Sequence, residues 1–65
     1  MPSSAIRWFV YDAARRRLDI RFTNGRRYSY HDVPPDVADA LDGASSKGAY
    51  FNEAIRDRYR FTRRR

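Results

Sequence analysis

Arg17-Leu18-Asp19-Ile20-Arg21-Phe22-Thr23-Asn24-Gly25-Arg26-Arg27-Tyr28-Ser29-Tyr30 is the stretch that decides the fold. From Arg17 to Phe22 polar and apolar residues alternate strictly, the period of a strand with one face buried. Asn24-Gly25 marks a tight hairpin, and Arg27-Tyr28-Ser29-Tyr30 alternates again. Parity selects between two turns. A two-residue type I′ loop at Asn24-Gly25 pairs Phe22 with Arg27, which puts Tyr28 and Tyr30 on the face of Asp19 and Arg21. A three-residue loop, Thr23-Asn24-Gly25 with a left-handed Gly25 and a G1-type bulge, pairs Phe22 with Arg26, Ile20 with Tyr28 and Leu18 with Tyr30. This second register gathers Leu18, Ile20, Phe22, Tyr28 and Tyr30 on one face, where each cross-strand pair stabilises the sheet by roughly 0.2–1 kcal/mol. It is the register expected.

Upstream, Ile6 to Tyr11 is a β-branched and aromatic run that reads as a further strand, joined to the hairpin through Asp12-Ala13-Ala14-Arg15. Its facing has two solutions: Ile6, Trp8 and Val10 inward, or Phe9 and Tyr11 inward. Downstream, Pro34 pushes Val33 into an extended conformation. Pro34-Pro35 then opens a helix with Asp36 in its first turn, where a negative charge meets the positive end of the helix dipole. Val37, Ala40 and Leu41 form its apolar face, and Gly43 is the stop. Ser45 or Ser46 caps a second helix. Phe51, Ala54, Ile55 and Tyr59 share its stripe, Glu53, Arg56 and Arg60 point elsewhere, and Phe61 folds back as a staple. The expected class is α+β: a three-stranded antiparallel sheet (strands about 5–11, 17–23 and 26–31) followed by two short helices (about 35–42 and 46–58) packed on one face. Residues 1–65 make one domain, with 62–65 a frayed basic tail.

Composition bounds the chemistry. Chains of about this length bury only about 60% of the surface their unfolded chain exposes, and at 15% aromatic content large rings fill the small core here. There is no Cys and one His, so thiolate staples and multi-His metal centres are excluded, and no cofactor or metal is expected. No apolar run approaches the roughly 18 residues of a membrane span. Met1-Pro2-Ser3-Ser4 leads into mixed residues, so no signal peptide is read and a cytoplasmic location is expected. The net charge of +6 is segregated: +5 over Arg7–Arg27, −4 over Tyr28–Ile55 and +5 over Arg56–Arg65. Of the 14 basic residues 13 are Arg, the side chain whose fork matches phosphate. A basic surface draws polyanions by releasing their counterions.

With these residues placed, the chain resembles the KTSC family, a domain of about this length named for its occurrence at the C-terminus of some lysyl-tRNA synthetases and also found as stand-alone bacterial and phage proteins. The matching residues are Ser4, Ile6, Tyr11-Asp12, Leu18, Ile20, Phe22, Asn24-Gly25, Tyr28-Ser29-Tyr30 and Val33-Pro34. They continue with Ala44-Ser45-Ser46-Lys47-Gly48, Tyr50-Phe51-Asn52, Ile55-Arg56 and Tyr59. The chain departs from the family at Trp8, where relatives carry a small or polar residue, at Val10, where they carry Gly, and at Arg60, often Pro. The resemblance implies inward Phe9 and Tyr11. It implies no established activity, and RNA binding is only a suggested role for the family.

The candidate site is the sheet face away from the helices. Arg7, Arg17, Arg21, Arg27 and His31 form the phosphate-contacting set there, or else a solvated face partly neutralised by Asp19. If Trp8 is outward it stands among these arginines, an aromatic able to stack on a base or to meet a second copy of the chain. Arg60, Arg63, Arg64 and Arg65 add nonspecific affinity or simply solubilise the terminus. Tyr28 and Tyr30 are read first as core and second as a stacking platform. Ser46 and Lys47 stand where a helix N-terminus can receive an anion, with ordinary capping the simpler role. Asn52 and Arg56, four apart, reach a ligand together or brace the Pro34-Pro35 segment. No enzymatic activity is expected: His31 and Asp32 are adjacent in sequence and so point to opposite sides of a strand, and no nucleophile triad is evident. The expectation is a small nucleic-acid-binding module, RNA or single strands before duplex DNA, with no membrane or small-molecule partner. The alternative is a protein-interaction or self-associating domain, with a homodimer as one form of it.

Overall fold

The computed structural model describes residues 5–64, and its centre is the expected hairpin. Strand β2 (Arg17–Phe22) pairs antiparallel with β3 (Arg27–Tyr30), with Ile20 opposite Tyr28 and Leu18 opposite Tyr30. The turn is the three-residue one. The Phe22 amide donates to the Arg26 carbonyl at 2.9 Å, Gly25 N–H donates to Phe22 O at 2.9 Å, and Gly25 has φ +89. That left-handed residue costs glycine nothing sterically, which is why Asn24-Gly25 sets the register of the whole sheet. Asn24 Oδ1 accepts the Arg26 amide at 2.9 Å and closes the tip.

Strand β1 (Ile6–Asp12) pairs with the other edge of β2. The second expected facing holds, with Phe9 and Tyr11 inward and Trp8 outward, and Ile6 joins the inward side because the register shifts between Ile6 and Trp8. Ile6 stands opposite Phe22, Trp8 opposite Arg21 and Phe9 opposite Ile20, so Arg7 is the extra residue of a bulge. Ile6, Phe9 and Tyr11 all pack toward the core, while Trp8 and Val10 point out. Tyr11 carries its hydroxyl across to donate to the Val33 carbonyl at 2.6 Å, tying the strand to the segment that leads into the helices. In the β1–β2 turn the Asp12 carboxylate accepts both the Arg15 amide (3.2 Å) and its guanidinium (3.0 Å), and these bonds hold its carboxyl below the ordinary range.

Helix α1 (Pro35–Gly43) starts where Pro34-Pro35 requires. Its buried residues are Ala38 and Leu41, with Val37 half-buried, whereas Ala40 is exposed. Val37 and Leu41 hold as expected, and Ala38 in place of Ala40 turns the buried stripe by roughly 50° at 3.6 residues per turn. Helix α2 (Lys47–Ala54) is shorter than the expected span to residue 58. At its end the amides of both Ile55 and Arg56 converge on the Phe51 carbonyl, at 3.0 and 2.9 Å, and Ile55 turns to φ −122. The chain then swings back to the sheet through Arg56–Tyr59.

The largest departure from expectation is at the end of the chain. Phe61–Arg64 is a fourth strand, β4, antiparallel to β3, so the sheet order is β1-β2-β3-β4 rather than three strands with a tail frayed from residue 62. Its hydrogen bonds to the β3 edge satisfy backbone groups that would otherwise be left open. Phe61 rests half-exposed with its ring 5.5 and 5.7 Å from those of Tyr28 and Tyr30. Ser4 and Arg65, named above, lie outside the described residues.

Both helices cover one face of the sheet. Leu18, Ile20, Val33, Leu41 and Ile55 are fully buried between them, with Phe51, Phe22 and Tyr30 in edge-to-face contact. Burial pushes the Tyr30 phenol up to about 12 from its ordinary 10.0. The neutral ring fits the core and the phenolate does not, so the contribution of this residue is whole below pH 10 and is lost as pH rises from about 10 to about 12. Urea titrations at pH 9 and 11.5 should therefore show a smaller fall in unfolding midpoint for Tyr30→Phe than for the wild type. A parallel fall in both would remove Tyr30 as the group responsible. No helix among the described residues is long and apolar enough to cross a membrane.

Candidate nucleic-acid interface

The uncovered face of the sheet is organised in rows, because residues opposite one another in antiparallel strands share a face. One row crosses all four strands: Trp8 opposite Arg21, Arg21 opposite Arg27, Arg27 opposite Arg64. The next row is Val10, Asp19, Ser29 and Thr62. The first is cationic with an aromatic end; the second is polar and internally bonded.

In the second row Ser29, only 1% exposed, donates its hydroxyl to Asp19 Oδ1 at 2.5 Å. Arg17 approaches the same oxygen with Nε at 3.3 Å, so Arg17 is committed to neutralising Asp19. Arg60 sits 3.6 Å from Asp32, both side chains largely in solvent, a geometry worth little to stability. Its carbonyl accepts the His31 amide at 2.9 Å, and His31 Nε2 and Thr62 Oγ1 share a hydrogen bond at 2.8 Å. His31 and Asp32 thus engage different partners, and Asp32 is left-handed at φ 58.

At the hairpin end the arginines converge. Arg21, Arg26, Arg27, Arg63 and Arg64 line one open hollow beside Asn24 and Gly25, with no Asp or Glu among the described residues that line it. Arg63 stands opposite Tyr28, so it starts from the helix side of the sheet and reaches the hollow around the edge, whereas Arg64 belongs to the cationic row. Arg21 Nε is buried with no hydrogen-bond partner among the described residues. Arg7, the bulge residue, is exposed. Trp8 is 41% exposed and Val10 56%.

The structure therefore sets Trp8, Arg21 and Arg27 in one row of the open face, places Arg63 at the hollow on its hairpin end, and draws Arg17 and Arg60 into ion pairs. Arg26 is the lining residue that sequence reasoning does not name as a contact; Arg64 is named there only as part of the basic end, and its face follows only from the β4 register. Tyr28 and Tyr30 take the core role, in edge-on contact with each other and with Phe22, Phe51 and Phe61. Ser46 caps α2 by accepting the Ala49 amide at 3.3 Å, and Lys47 Nζ donates to the Ala44 carbonyl at 3.5 Å, so both side chains serve the helix start itself. Asn52 is half-buried and Arg56 exposed on the far side of the molecule. No three His, Asp or Glu side chains among the described residues are grouped to hold a metal ion.

Comparison with known proteins gives one consistent answer. The profile of the KTSC domain matches residues 2–59, which stops short of β4. A protein of Tsukamurella paurometabola is 45% identical over 60 residues, covering 92% of this chain and 90% of that one. A lysine–tRNA ligase of Nostoc punctiforme is 41% identical over 58 residues, 89% of this chain but only 10% of the ligase, so the chain spans about a tenth of that relative. A KTSC domain protein from Yersinia pestis, known from its crystal structure, superposes with a TM-score of 0.88 at 30% identity, over 100% of this chain and 92% of that one.

Proposed function

The chain belongs to the KTSC domain family, and on that premise we propose that it is a small non-enzymatic cytoplasmic module that binds single-stranded nucleic acid, RNA before DNA, on the sheet face its helices leave open. The observation that carries this reading is the Trp8–Arg21–Arg27–Arg64 row, flanked by a hollow that five arginines line. Guanidinium groups pair with phosphates, and an exposed indole stacks on a base whatever its identity. That a lysine–tRNA ligase carries a similar segment is in keeping with an RNA partner.

The test is salt. The three arginines of the row, each neutralising one phosphate of a single strand, give a slope of log affinity against log salt of about −2, so raising salt from about 50 to about 200 mM should weaken binding on the order of twentyfold. Anisotropy of a labelled RNA oligomer measures it. No binding at the lower salt ends the proposal.

A second reading, self-association, is favoured by the exposure of Trp8 and Val10 side by side on β1 and by Asp36, Asp39 and Asp42, all exposed on α1 as a complement to the arginines. Sedimentation separates the two: a monomer that binds RNA supports the first, and a dimer indifferent to RNA supports the second.

A further inference from the structure

On an otherwise cationic face Asp19 is out of place. A surface built only to hold phosphates gains nothing from a carboxylate in its middle, which repels them. Yet Asp19 is fixed there at one oxygen, by a hydrogen bond from Ser29 Oγ at 2.5 Å and an ion-pair contact with Arg17 Nε at 3.3 Å. A carboxylate offers about four acceptor positions and no donor, and the Ser29 hydroxyl has turned its proton to one of them.

Asp19 and Ser29 line a shallow depression of about 120 Å³ together with Trp8, Arg27 and Arg64. That is well below the roughly 300 Å³ at which pockets begin to enclose a drug-sized ligand. It suits one planar ring entering edge-on. The indole supplies a stacking surface, the carboxylate an acceptor-only edge, and the two arginines a place for the phosphates on either side.

We infer that this depression receives one nucleobase and selects guanine, with Asp19 accepting the base's Watson–Crick donors and Trp8 stacking on its ring. This rests on the nucleic-acid reading above and deepens it. Guanine alone presents two adjacent donors, N1–H and the exocyclic amino group. Uracil presents one N–H between two carbonyls that would face the carboxylate. Adenine and cytosine present an amino group beside a ring-nitrogen lone pair. Single-stranded RNA is read on these edges, since they are unpaired.

Trp8 is the chain's one tryptophan, so its fluorescence reports this pocket directly. Uridine heptamers carrying a central G, A, C or U are titrated into the wild type and into Asp19→Asn. The G oligomer should bind the wild type about tenfold more tightly than the other three, the size of discrimination a good bidentate contact provides. Asn keeps an oxygen for the Ser29 hydroxyl but replaces the second acceptor with a donor. In Asp19→Asn the preference should vanish, while affinity for the all-uridine oligomer holds or rises because a negative charge is gone. Equal wild-type affinities for all four oligomers overturn the guanine pocket and leave the sheet face standing as a phosphate-binding surface. A preference that survives in Asp19→Asn overturns the role of Asp19. Failure of every oligomer to bind overturns the nucleic-acid reading itself. The wild-type comparison decides the base preference whatever the stability of the variant.

Discussion

Phe51→Ala should leave this domain largely unfolded at room temperature. Phe51 is 2% exposed and is the buried residue of α2, wedged edge-on against Phe22 at 5.2 Å and Tyr30 at 5.4 Å between ring centres. Truncating a buried Phe to Ala costs about 3–5 kcal/mol, from lost transfer energy and the cavity left behind. A chain of this size has a total stability on the order of 3–10 kcal/mol. The loss is concentrated because α2 has no second fully buried side chain to hold it to the sheet. Thermal unfolding followed by far-UV circular dichroism should show the melting temperature lowered by about 20 °C or more. Phe61→Ala is the contrast. That ring touches Tyr28 and Tyr30 but is 54% exposed, so its removal should cost less than half as much. Equal losses at the two positions would mean that α2 is anchored by something other than Phe51.

The same difference in burial explains how much of the fold is legible in the amino-acid sequence. The β2–β3 hairpin is readable because its two faces meet different media. Leu18, Ile20 and Phe22 are buried, Arg17, Asp19 and Arg21 lie on the open face, and Gly25 removes the remaining ambiguity of register. Pro34-Pro35 announces α1 for an equally local reason, a fixed φ at the first helical position. Strand β1 is readable as a strand but not in its facing, because the bulge at Arg7 puts Ile6 and Phe9 on the same side and no simple alternation describes that. Strand β4 leaves almost no trace. All four of its residues are exposed, and it is held by backbone hydrogen bonds to β3, which composition does not record. Three of its four residues, Thr62, Arg63 and Arg64, are polar or charged, so a hydropathy reading takes it for a tail.

That loss propagates to the candidate site. Without β4 there is no register for the last arginines, and a shift of one residue exchanges the faces of Arg63 and Arg64. The charge pattern finds the basic ends of the chain, and the hairpin parity puts Arg21 and Arg27 on the open face. The pairing of Asp19 with Arg17 follows from their shared face on β2, whereas that of Asp32 with Arg60 is a tertiary fact that sequence separation does not disclose.

The double variant Arg21→Glu with Arg27→Glu is expected to weaken single-stranded RNA binding by about two orders of magnitude at low salt, since two phosphate contacts become two repulsions. These residues are adjacent in the cationic row and both line the arginine hollow, so they act on the same stretch of backbone. Net charge alone would also reduce binding, and the control must carry the same change. Arg56→Glu with Arg58→Glu supplies it: both residues are exposed, in the turn after α2 and away from the open sheet face. Diffuse attraction to a +6 protein responds to total charge and would make the two double variants equally weak. A defined surface responds to position, so the sheet variant should lose at least tenfold more than its control, and its salt slope should flatten by about 1.4, the share of two phosphate contacts. The slope is the stricter criterion because it counts contacts, whereas an affinity change alone mixes contact loss with long-range repulsion. Matching slopes in the two variants would sink the assignment of the interface to the Trp8–Arg21–Arg27–Arg64 row.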